Sequence, residues 1–521
     1  MNILHIVAIH GQTTYMSAFG VFKRRKSNID YTRAAIENQK ISENNLKNIF
    51  DSCQDFESRS LTVEGRSSLS ATAVWLDGLV NTQAVSEDFI RPFATNPLLA
   101  LCRSEKELID TLMSGRIYYA VARRRESMAD VVSDILMGNV VLIFEKSAAA
   151  LSFDIRSTQS RSISEPSIEK TVKGAKSAFV ETMRVNTALV RRYLRTSRLK
   201  LKQTVVGRKS ATNVAVFYVE GVCGEDILAE TLRRLDAIDI DGLLAAGNLE
   251  QYIVDSPLSP FPQLIHTERP DTFAMELLEG RVGIIVDGLP IGFLVPAPLP
   301  YFMKVGDDRS GHFLVSSFLS LIRWLSLVVS TLLPGLYVAM NMYHQEMLPT
   351  RLLLSIIEAR QQVPFSAATE LVVMLLAFEL LQEAGLRLPN PVGDTVSIIG
   401  ALIVGQAAVE ARIVSPVTLI VVAAAGICSF TLPSQDLGGA LRLMRLGIVA
   451  LSIALGLYGL MLGVVLLMWH LCSLESFGIA YTHPLSDGRT WKSLATILRP
   501  PLWLTKKRDK AMGGEDRWNQ R

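Results

Sequence analysis

Two polar side chains, Gln406 and Glu410, lie four residues apart in a long stretch of small and apolar residues. On an α-helix this spacing places both side chains on one face, one turn apart. Polar groups inside a membrane usually face other protein or water, because lipid offers them no hydrogen-bond partner. The pair therefore predicts a contact with a partner helix or a pore. A second interpretation stays open for Glu410, in which it lies with Arg412 at the lipid headgroups.

The element that must position this pair is the run NPVGDTVSIIGALIVGQAAVEARIVSP at 390–416. Its apolar part is about twenty residues long, enough for a helix to cross a hydrocarbon core of about 30 Å. Pro391 and Pro416 lie at the two ends of the run, and Gly400 and Gly405 make the expected helix narrower because they have no side chain. Small residues let membrane helices approach closely. We therefore expect a membrane helix that packs through its glycines.

Two further charged residues lie in apolar segments. Arg323 interrupts the stretch 313–342, where it can snorkel to the interface, lie at the interface or pair with a carboxylate on another helix. That stretch is expected to kink or end at Pro334-Gly335. Glu379 lies in 365–385, which is either a span with Glu379 facing a wet interior or a helix on the membrane surface. Both residues are candidates for a pore or for helix packing.

The number of membrane crossings follows from charge and hydropathy. The basic tail at 489–510 is expected in the cytoplasm by the positive-inside rule, on the same side as the N-terminal region. An even number of crossings is then required, which favours four spans plus one re-entrant or interfacial helix, with 365–385 dropping out. The chain has five apolar segments: 313–342, 365–385, 392–410, 415–432 and 441–471.

Composition excludes several classes of function. The net charge of +3 over 521 residues is too small to indicate a nucleic-acid partner. The five cysteines have no metal-ligand spacing, and the chain has no phosphate-binding loop, dinucleotide fingerprint or hydrolase motif. We therefore expect neither an enzyme nor a cofactor or metal. Residues 1–40 lack the basic start of a signal peptide and are expected to form a flexible tail.

The region before the membrane segments contains an approximate repeat. A short apolar strand is followed by an acidic residue and glycine at 71–78 and again at 214–221. A helix, a glycine and two strands then follow at 128–153 and at 270–296. The paired landmarks are Gly78 with Gly221 and Gly138 with Gly280, and the two offsets in numbering differ by a single position. Two nearly equal offsets predict a duplicated α/β unit, although two unrelated hairpins are the alternative.

Two segments before the first span are candidates for mechanical coupling. The loop 253–271 contains Pro257 and Pro260, and the hairpin 282–295 turns at Asp287-Gly288, a strong hairpin signal. Both segments precede the first expected span. We expect them to connect the two regions.

A basic segment separates the two α/β units. Three interpretations of residues 184–202 stay open: a solvated helix face, contact with anionic lipid headgroups, or nucleic-acid binding, which the scarcity of aromatic residues disfavours. Its basic residues are Arg184, Arg191, Arg192, Arg195, Arg198, Lys200 and Lys202.

Together these features predict an α+β cytoplasmic region of two related α/β subdomains, followed by an all-α polytopic membrane domain. The expected divisions are a tail at 1–40, subdomain 1 at 41–160, a linker helix with subdomain 2 at 161–305, a transmembrane domain at 306–475, and a basic cytoplasmic tail at 476–521.

From about residue 45 to 485 the chain resembles the A subunit of bacterial spore germinant receptors, the GerA family. Long blocks occur in the right order, among them RSISEPSIEKTVKGAKSAF (161–179), IVDSPLSPFPQLIHTERPD (253–271) and EAGLRLPNPVGDTVSIIGALIVGQAAVEARIVSP (383–416). One departure is KGAKSAFVE at 173–181, where the family has a different, more acidic pattern.

The resemblance implies a multi-pass protein of the inner spore membrane with both termini in the cytoplasm. Its implied partners are a transporter-like B subunit, a lipoprotein C subunit and further copies of itself, which would form an ion-conducting pore opened by a nutrient. Three alternatives stay open: a spore membrane paralogue of the SpoVAF type that aids germination without sensing nutrients, a secondary solute transporter, and a structural scaffold.

Overall fold

A computed structural model describes residues 36–63, 66–115, 122–155, 166, 169, 171, 173–387, 405–488 and 490–519. The chain divides into two compact units. One comprises Met1–Thr158 with Arg195–Ser197, and the other comprises Gln159–Leu194 with Arg198–Arg521. The second unit thus contains both subdomain 2 and the apolar helices. The sequence predicts a domain boundary between these two parts at residue 305.

The first unit is built on a five-stranded antiparallel sheet of order β1-β2-β4-β5-β3. Strands β4 and β5 are buried along their whole length, and the amphipathic helix before β4 packs on the sheet. The elements are α1 (Glu43–Ile49), β1 (Phe56–Val63), β2 (Arg66–Leu76), short helical turns at Thr82–Ala84, Val85–Ile90, Arg91–Thr95 and Pro97–Ala100, α2 (Glu105–Met113), β3 (Ala122–Arg125), α3 (Met128–Leu136), β4 (Val140–Phe144) and β5 (Ala149–Phe153).

Subdomain 2 has a sheet of the same order, β6-β7-β9-β10-β8, and it is also antiparallel. Its elements are α4 (Met183–Tyr193), β6 (Leu199–Val206), β7 (Thr212–Val219), α5 (Glu225–Asp236), α6 (Ala246–Ile253), β8 (Ile265–Thr267), α7 (Pro270–Leu278), β9 (Val282–Val286) and β10 (Gly292–Val295).

The predicted duplication is confirmed, and it extends to strand register. In the first sheet Thr72 of β2 pairs with Ile143 of β4, and in the second Ala215 of β7 pairs with Ile285 of β9. The offset between Gly78 and Gly221 relates Thr72 to Ala215, and the offset between Gly138 and Gly280 relates Ile143 to Ile285.

The landmark glycines share a backbone conformation as well. Gly78 and Gly221 have φ of 83° and 76°, and Gly138 and Gly280 have φ of 88° and 101°. A residue with a Cβ adopts this region only at a cost, so glycine serves both copies at both turns. The first strand of each copy, β1 and β6, was not anticipated from the sequence.

The basic segment 184–202 is not one solvated helix. Helix α4 ends at Tyr193 and β6 begins at Leu199. The Arg191 side chain is 1% exposed and donates a hydrogen bond of 2.9 Å to the Leu199 carbonyl. It joins the helix to the following strand, so the prediction of a solvated face is wrong at this residue.

The helical part begins after β10. Its elements are α8 (Gly306–Ser310), α9 (Phe313–Met342), α10 (Thr350–Arg360), α11 (Ala367–Arg387), α12 (Pro416–Phe430), α13 (Gln435–Ser473), β11 (Glu475–Ser476), β12 (Ile479–Ala480) and α14 (Thr490–Ile497), with 3₁₀ turns at Leu299–Met303, Gln345–Met347, Leu502–Leu504 and Lys510–Met512. Within the described ranges, α9 and α13 are long and apolar enough to cross a membrane, and α12 is a shorter apolar helix.

Helix α13 reverses direction at Gly456, where φ is 62° and ψ is −137°. A Cβ on Gly463 would lie 3.5 Å from the Cα of Ile448. Residues fifteen apart on a straight helix are about 22 Å apart, so the two halves must run side by side. The expectation of one long span over 441–471 is therefore wrong. The segment is a helical hairpin with a first arm at 435–455 and a second arm at 457–473.

Helix α9 packs against both arms of this hairpin. A Cβ on Gly335 would lie 2.9 Å from the Ser452 hydroxyl on the first arm and 3.2 Å from Leu460 on the second. The helix continues through Pro334 to Met342, so it does not end at Pro334-Gly335. The glycine permits a close approach at that level, and three helical segments form one packed group.

Candidate functional site

Both ends of the α13 hairpin meet subdomain 2. Leu437 and Leu441 from the first arm and Leu471 from the second belong to the same cluster of buried side chains as Phe217 of β7 and Phe261. The cluster joins the sheet of subdomain 2 to the apolar helices without a break. A change in the packing of one part must therefore disturb the other, because a close-packed interior transmits displacement.

The loop 254–264, termed here the proline loop, contacts the second arm. The Ser259 hydroxyl lies 2.9 Å from Nε2 of His470. The Phe261 ring packs between the rings of His470 and Tyr481, at centroid distances of 5.7 and 6.4 Å. The loop thus holds the end of the hairpin through one polar and one aromatic contact, and it also contacts Tyr481 beyond the hairpin.

The strand that follows the loop reaches the first arm. His266 of β8 places Nδ1 at 3.5 Å from a carboxylate oxygen of Asp436, at the start of α13. Residues 259–266 therefore contact both arms of the hairpin close to their ends. This bridging position is consistent with the coupling role predicted for 253–271.

A cavity of about 580 Å³ lies between the proline loop and the first arm. Pro257 and Pro260 form part of its wall. Burial, and then the nearby Asp436, raise the pKa of Glu250 above its ordinary value. The charged and amide side chains around the cavity are Glu250, Gln251, Gln263, Gln435, Asp436 and Arg442.

The turn of the β9–β10 hairpin is held inside subdomain 2. Asp287 accepts a hydrogen bond of 2.9 Å from the Met183 amide at the start of α4, and the Gly288 amide donates one of 2.7 Å to the Glu181 carbonyl. Gly288 has φ of 88°, as the predicted turn requires. These contacts place Asp287 and Gly288 against α4.

The open end of the same hairpin makes the contacts with the chain beyond α13. The Ala297 amide donates to the Ser476 hydroxyl at 3.0 Å, and the Leu299 amide donates to the Tyr481 carbonyl at 2.7 Å. The segment after β10 is thereby joined to the segment after the second arm. The sequence predicts the hairpin as a link but does not distinguish its two ends.

A buried charge network lies next to this connection. Glu276 of α7 is 1% exposed and forms ion pairs with Arg281 and with Arg309 of α8. Burial opposes the charged carboxylate, but Arg281 and Arg309 outweigh burial and hold the pKa of Glu276 below its ordinary value. The network fixes α8, and hence the start of α9, to subdomain 2.

Arg323 completes that attachment from the other side. Its guanidinium lies 2.5 Å from a carboxylate oxygen of Asp308, which also accepts the Val305 amide at 3.0 Å. Of the three positions considered for Arg323, the structure has it paired with a carboxylate on another helix, the short α8.

Glu379 of α11 pairs with two cations on the first arm of α13. Arg442 lies 3.3 Å from one carboxylate oxygen, and Arg445 contacts the other. Arg442 also donates a hydrogen bond of 3.0 Å to Gln382. The carboxylate therefore joins α11 to α13 within one chain.

The pair that motivated the sequence prediction forms as expected. Residues 405–410 are helical, and the Gln406 amide donates a hydrogen bond of 3.0 Å to Glu410. A Cβ on Gly405 would lie 3.2 Å from Leu419, so this helix packs on α12 through its glycine. The Gln406 and Glu410 side chains are exposed on the single chain. Gly400 lies outside the described residues.

A further carboxylate, Glu370 of α11, is not among the residues that the sequence analysis identifies. It is 1% exposed and accepts hydrogen bonds from the Ser415 amide at 2.9 Å and the Thr418 hydroxyl at 3.0 Å. Arg360 at the end of α10 approaches it at 3.4 Å. The Tyr337 hydroxyl of α9 lies 2.9 Å from that of Thr418. The available signal was a lone acid near the start of an apolar helix.

The tail after α13 packs on subdomain 2. Met512 is buried beside Gly280, and the Asp516 amide donates to the Gly221 carbonyl at 2.8 Å. His483 lies between two carboxylates, with Nε2 at 2.6 Å from Asp509 and Nδ1 at 3.0 Å from Asp487. The basic tail, termed here the strap, is therefore attached to subdomain 2, which the α13 hairpin also contacts.

Across the described part of the chain, no three histidine, cysteine or acidic side chains are grouped so as to hold a metal ion. The expectation of a protein without catalytic activity or cofactor remains a prediction. The arrangement found is a mechanical junction. Buried contacts connect subdomain 2 to both ends of the α13 hairpin and to the start of α9.

Comparison with known proteins places the chain in a family. The model of the Bacillus/Clostridium GerA spore germination protein family matches residues 44–511. The membrane protein YfkQ of Bacillus subtilis (strain 168) is 36% identical over 94% of both chains. Spore germination protein KA of the same organism is 35% identical over 90% of this chain and 86% of its own.

Among solved structures, the crystal structure of the N-terminal domain of the A subunit of the Bacillus megaterium spore germinant receptor GerK3 is 30% identical. The match covers 49% of this chain and 92% of the GerK3 chain, with a TM-score of 0.39. Since the family model and two relatives above 30% identity span most of the sequence, the chain belongs to the GerA family of spore germination proteins.

Proposed function

We propose that this chain is the membrane subunit of a spore germinant receptor that transmits a nutrient signal to its own membrane helices. The observation that carries the proposal is the docking of both ends of the α13 hairpin on subdomain 2 through one buried cluster. The names of its relatives support a role in germination. The junction supplies a physical path by which a displacement of the subdomain reaches the membrane.

The signal would travel as a shift between two packings of the junction. The proline loop contacts the second arm through Ser259, and β8 approaches the first arm through His266. A partner changes this equilibrium only if it binds the two packings with different affinity. Contacts with both arms make residues 259–266 suited to favour one packing of the hairpin over another.

The output we propose is ion flow through an oligomer of this chain. The exposed pair Gln406 and Glu410 supports this part, since a polar pair on an apolar helix gains from facing a water-filled path or another subunit. Glu370 is buried and Glu379 is half-buried, and each forms an ion pair with arginine within the chain. The proposed pore lining therefore comes from the helix at 405–410, and not from Glu379.

The partners we propose follow from the family: a transporter-like B subunit that binds the nutrient, a lipoprotein C subunit, further copies of this chain, and membrane lipid. The reversal of α13 supports a multi-pass arrangement with both termini in the cytoplasm. It turns the five apolar segments into six, so an even number of crossings no longer requires 365–385 to be left out.

A paralogue that aids germination without sensing a nutrient is the second candidate. It is supported by YfkQ, which is about as similar to this chain as spore germination protein KA and whose name specifies no germinant receptor. The two candidates differ in one measurement. Deletion of the gene in spores that retain their other receptors abolishes the response to a particular nutrient if this chain is a receptor subunit. It slows germination by every route if the chain is an accessory protein.

The junction itself is tested by a reversible tether. The variant Ser259→Cys/His470→Cys places two thiols where a hydrogen bond of 2.9 Å now joins the proline loop to the second arm. Spores carrying it are oxidised, exposed to nutrients, and followed by loss of refractility and by cation release. We expect the oxidised receptor to respond more slowly than the reduced one.

The matched controls are the two single-cysteine variants, each measured with and without oxidant. Mass spectrometry of the purified chain verifies that the disulfide has formed. A full nutrient response from the tethered receptor would exclude movement at this contact as the signal. Solute accumulation by the purified chain without partners would instead indicate a secondary transporter.

A further inference from the structure

The segment that follows the second arm and the β11–β12 turn returns to the start of the first apolar helix. The Ser320 hydroxyl of α9 donates a hydrogen bond of 2.6 Å to the Ile497 carbonyl, and the Ser317 hydroxyl donates one of 3.0 Å to the Arg499 carbonyl. Serines within an apolar helix thus bind the backbone of the tail. The contact fixes residues 497–499 beside the first two turns of α9.

An arginine secures the same place from the tail. Arg499 donates hydrogen bonds of 2.7 Å to the carbonyl groups of Gly311 and Arg309, just before α9 begins. The Trp503 ring packs edge-on against Phe313, the first residue of α9, at a centroid distance of 5.9 Å. Residues 499–503 therefore lie beside the first residues of α9.

This segment exposes an apolar surface. Leu494 and Leu498 lie one helical turn apart, and Trp503 and Leu504 are 60% and 57% exposed. Beside them, the first turns of α9 expose further apolar side chains, including Leu314, Val315 and Phe318. The two surfaces are continuous through the contact between Phe313 and Trp503.

Positive charge borders the apolar surface on one side. Lys506 and Lys507 follow Leu504 after one intervening residue, and both are exposed. Tryptophan is enriched where a membrane meets water, and an apolar surface with lysines at its edge is typical of elements that lie in the interface and attract anionic lipid. The continuous surface is more stable in hydrocarbon than in water, because it is apolar and adjoins the start of α9, the first apolar helix.

We propose that residues 494–507 lie in the headgroup layer of an anionic membrane. Leu494, Leu498, Trp503 and Leu504 enter the boundary between headgroups and acyl chains, and Lys506 and Lys507 bind lipid phosphates. The partner is the bilayer surface itself. Because the segment is fixed to α9 at Ser317 and Ser320, its immersion sets the depth at which α9 enters the membrane.

Depth is measured with a nitroxide on Leu504→Cys in the full-length chain, in a background of Cys428→Ser and Cys472→Ser. The protein is placed in nanodiscs of phosphatidylcholine, either alone or mixed with the anionic lipid phosphatidylglycerol. Collision of the label with oxygen and with a water-soluble nickel complex reports immersion. The matched control is Leu244→Cys, a leucine of subdomain 2 that is 77% exposed beside the β6–β7 turn.

We expect the label at residue 504 to favour oxygen over nickel by several-fold relative to the label at 244. Nickel access at residue 504 equal to that at 244 would refute immersion. Spin–spin broadening between labels at 504 of neighbouring copies would show a protein contact at this surface and would also overturn the proposal.

The charge component is tested by native mass spectrometry of retained phosphatidylglycerol. The variant Lys506→Gln/Lys507→Gln should retain at least twofold less of this lipid than Lys209→Gln, which alters an exposed lysine of subdomain 2. Equal retention by the two variants would refute recognition of an anionic surface by these lysines.

Discussion

The hydroxyl of Tyr343 donates a hydrogen bond of 2.7 Å to the backbone carbonyl of Ile453, near the end of the first arm of the α13 hairpin. Tyr343 terminates α9, and its side chain lies against Gly456, where a Cβ would be 3.0 Å away. A helix that reverses leaves carbonyl groups without their usual amide partners. The end of α9 thus satisfies the turn that makes the hairpin possible.

Replacing that hydroxyl should weaken the hairpin turn. Tyr343→Phe removes the hydrogen bond to Ile453 and is expected to cost about 1 kcal/mol of folding free energy. The unfolding temperature of the purified chain in detergent measures it. Tyr458→Phe, also on α13, is the control, because Tyr458 has no hydrogen bond among the residues described. Equal melting temperatures of the two variants would contradict the assigned role.

The close approach of the two arms can be tested at glycine. A Cβ on Gly459 would lie 2.0 Å from the Leu451 carbonyl oxygen, a distance that forces the arms apart. Gly459→Ala should therefore destabilise the chain by about 1–3 kcal/mol, as overpacking does. Thermal unfolding of the purified chain measures it.

The matched control is Gly447→Ala in the first arm, where a Cβ meets nothing within 4 Å. Alanine is the better helix former, so this variant should be neutral or slightly stabilised. If Gly459→Ala melts at the same temperature as Gly447→Ala, the arms do not pack as described.

Glu370 should be essential to the packing of α11, α12 and α10. Glu370→Ala removes the acceptor for the Ser415 amide and the Thr418 hydroxyl and leaves Arg360 without its carboxylate. Removing one partner of a buried ion pair costs about 3–5 kcal/mol. We expect a large loss of detergent-stable protein in fluorescence-detected size-exclusion chromatography.

Glu358→Ala provides the comparison for Glu370, because it removes an exposed acid near the end of α10. Exposed substitutions usually change stability by less than about 0.5 kcal/mol. A yield of Glu370→Ala as high as that of Glu358→Ala would show that the cluster contributes little.

Attachment of the tail should depend on pH through His483. The hydrogen bond to Asp509 raises the pKa of His483; burial opposes this, and the charges of Asp509 and Asp487 add to the increase. A pKa raised in the folded state stabilises the attachment fully below the unfolded value of about 6.5 and loses that contribution as pH rises through the folded value. The strap should therefore loosen on the alkaline side.

Hydrogen exchange of the amides in 508–519 measures this opening between pH 6 and pH 9, after correction for intrinsic exchange rates. The variant His483→Gln should abolish the pH dependence of the protection. Wild-type protection that stays constant across this range would contradict a contribution from the charged imidazole.

The proposed pore lining predicts a functional defect without a stability defect. Gln406→Leu/Glu410→Leu removes the exposed polar pair, and we expect cation release from spores to fall by about half or more because charged and polar groups at a pore set conduction. The melting temperature should stay within the error of the wild type. Unchanged release would argue for a scaffold.

Local pattern determined much of the fold that precedes the apolar helices. Strand β4 lies at 140–144, where an uninterrupted apolar run predicts a buried strand, and the glycines at 138 and 280 occupy equivalent turns. Such features follow from residues near in sequence, because side-chain periodicity and glycine backbone freedom act within a few residues. The resemblance to spore germination proteins was likewise carried by contiguous blocks.

The membrane part shows what local pattern could not determine. Gly456 has no distinctive neighbours in the sequence, and glycines inside apolar helices commonly serve close packing. Its positive φ arises in the folded chain, where Tyr343 satisfies the exposed carbonyl groups. The partner of Glu379 was equally hidden, because Arg445 lies 66 residues away. Long-range pairing decided both cases.

The sequence by itself determined the duplicated subdomains, the presence of apolar helices and the helical pairing of Gln406 with Glu410, since each depends on contacts within one or two turns or on repeated spacing. The tertiary structure alone decided that α13 folds back and that both its ends dock on subdomain 2. Burial of apolar side chains from distant segments in one cluster drives that arrangement, and no local spacing encodes which segments meet.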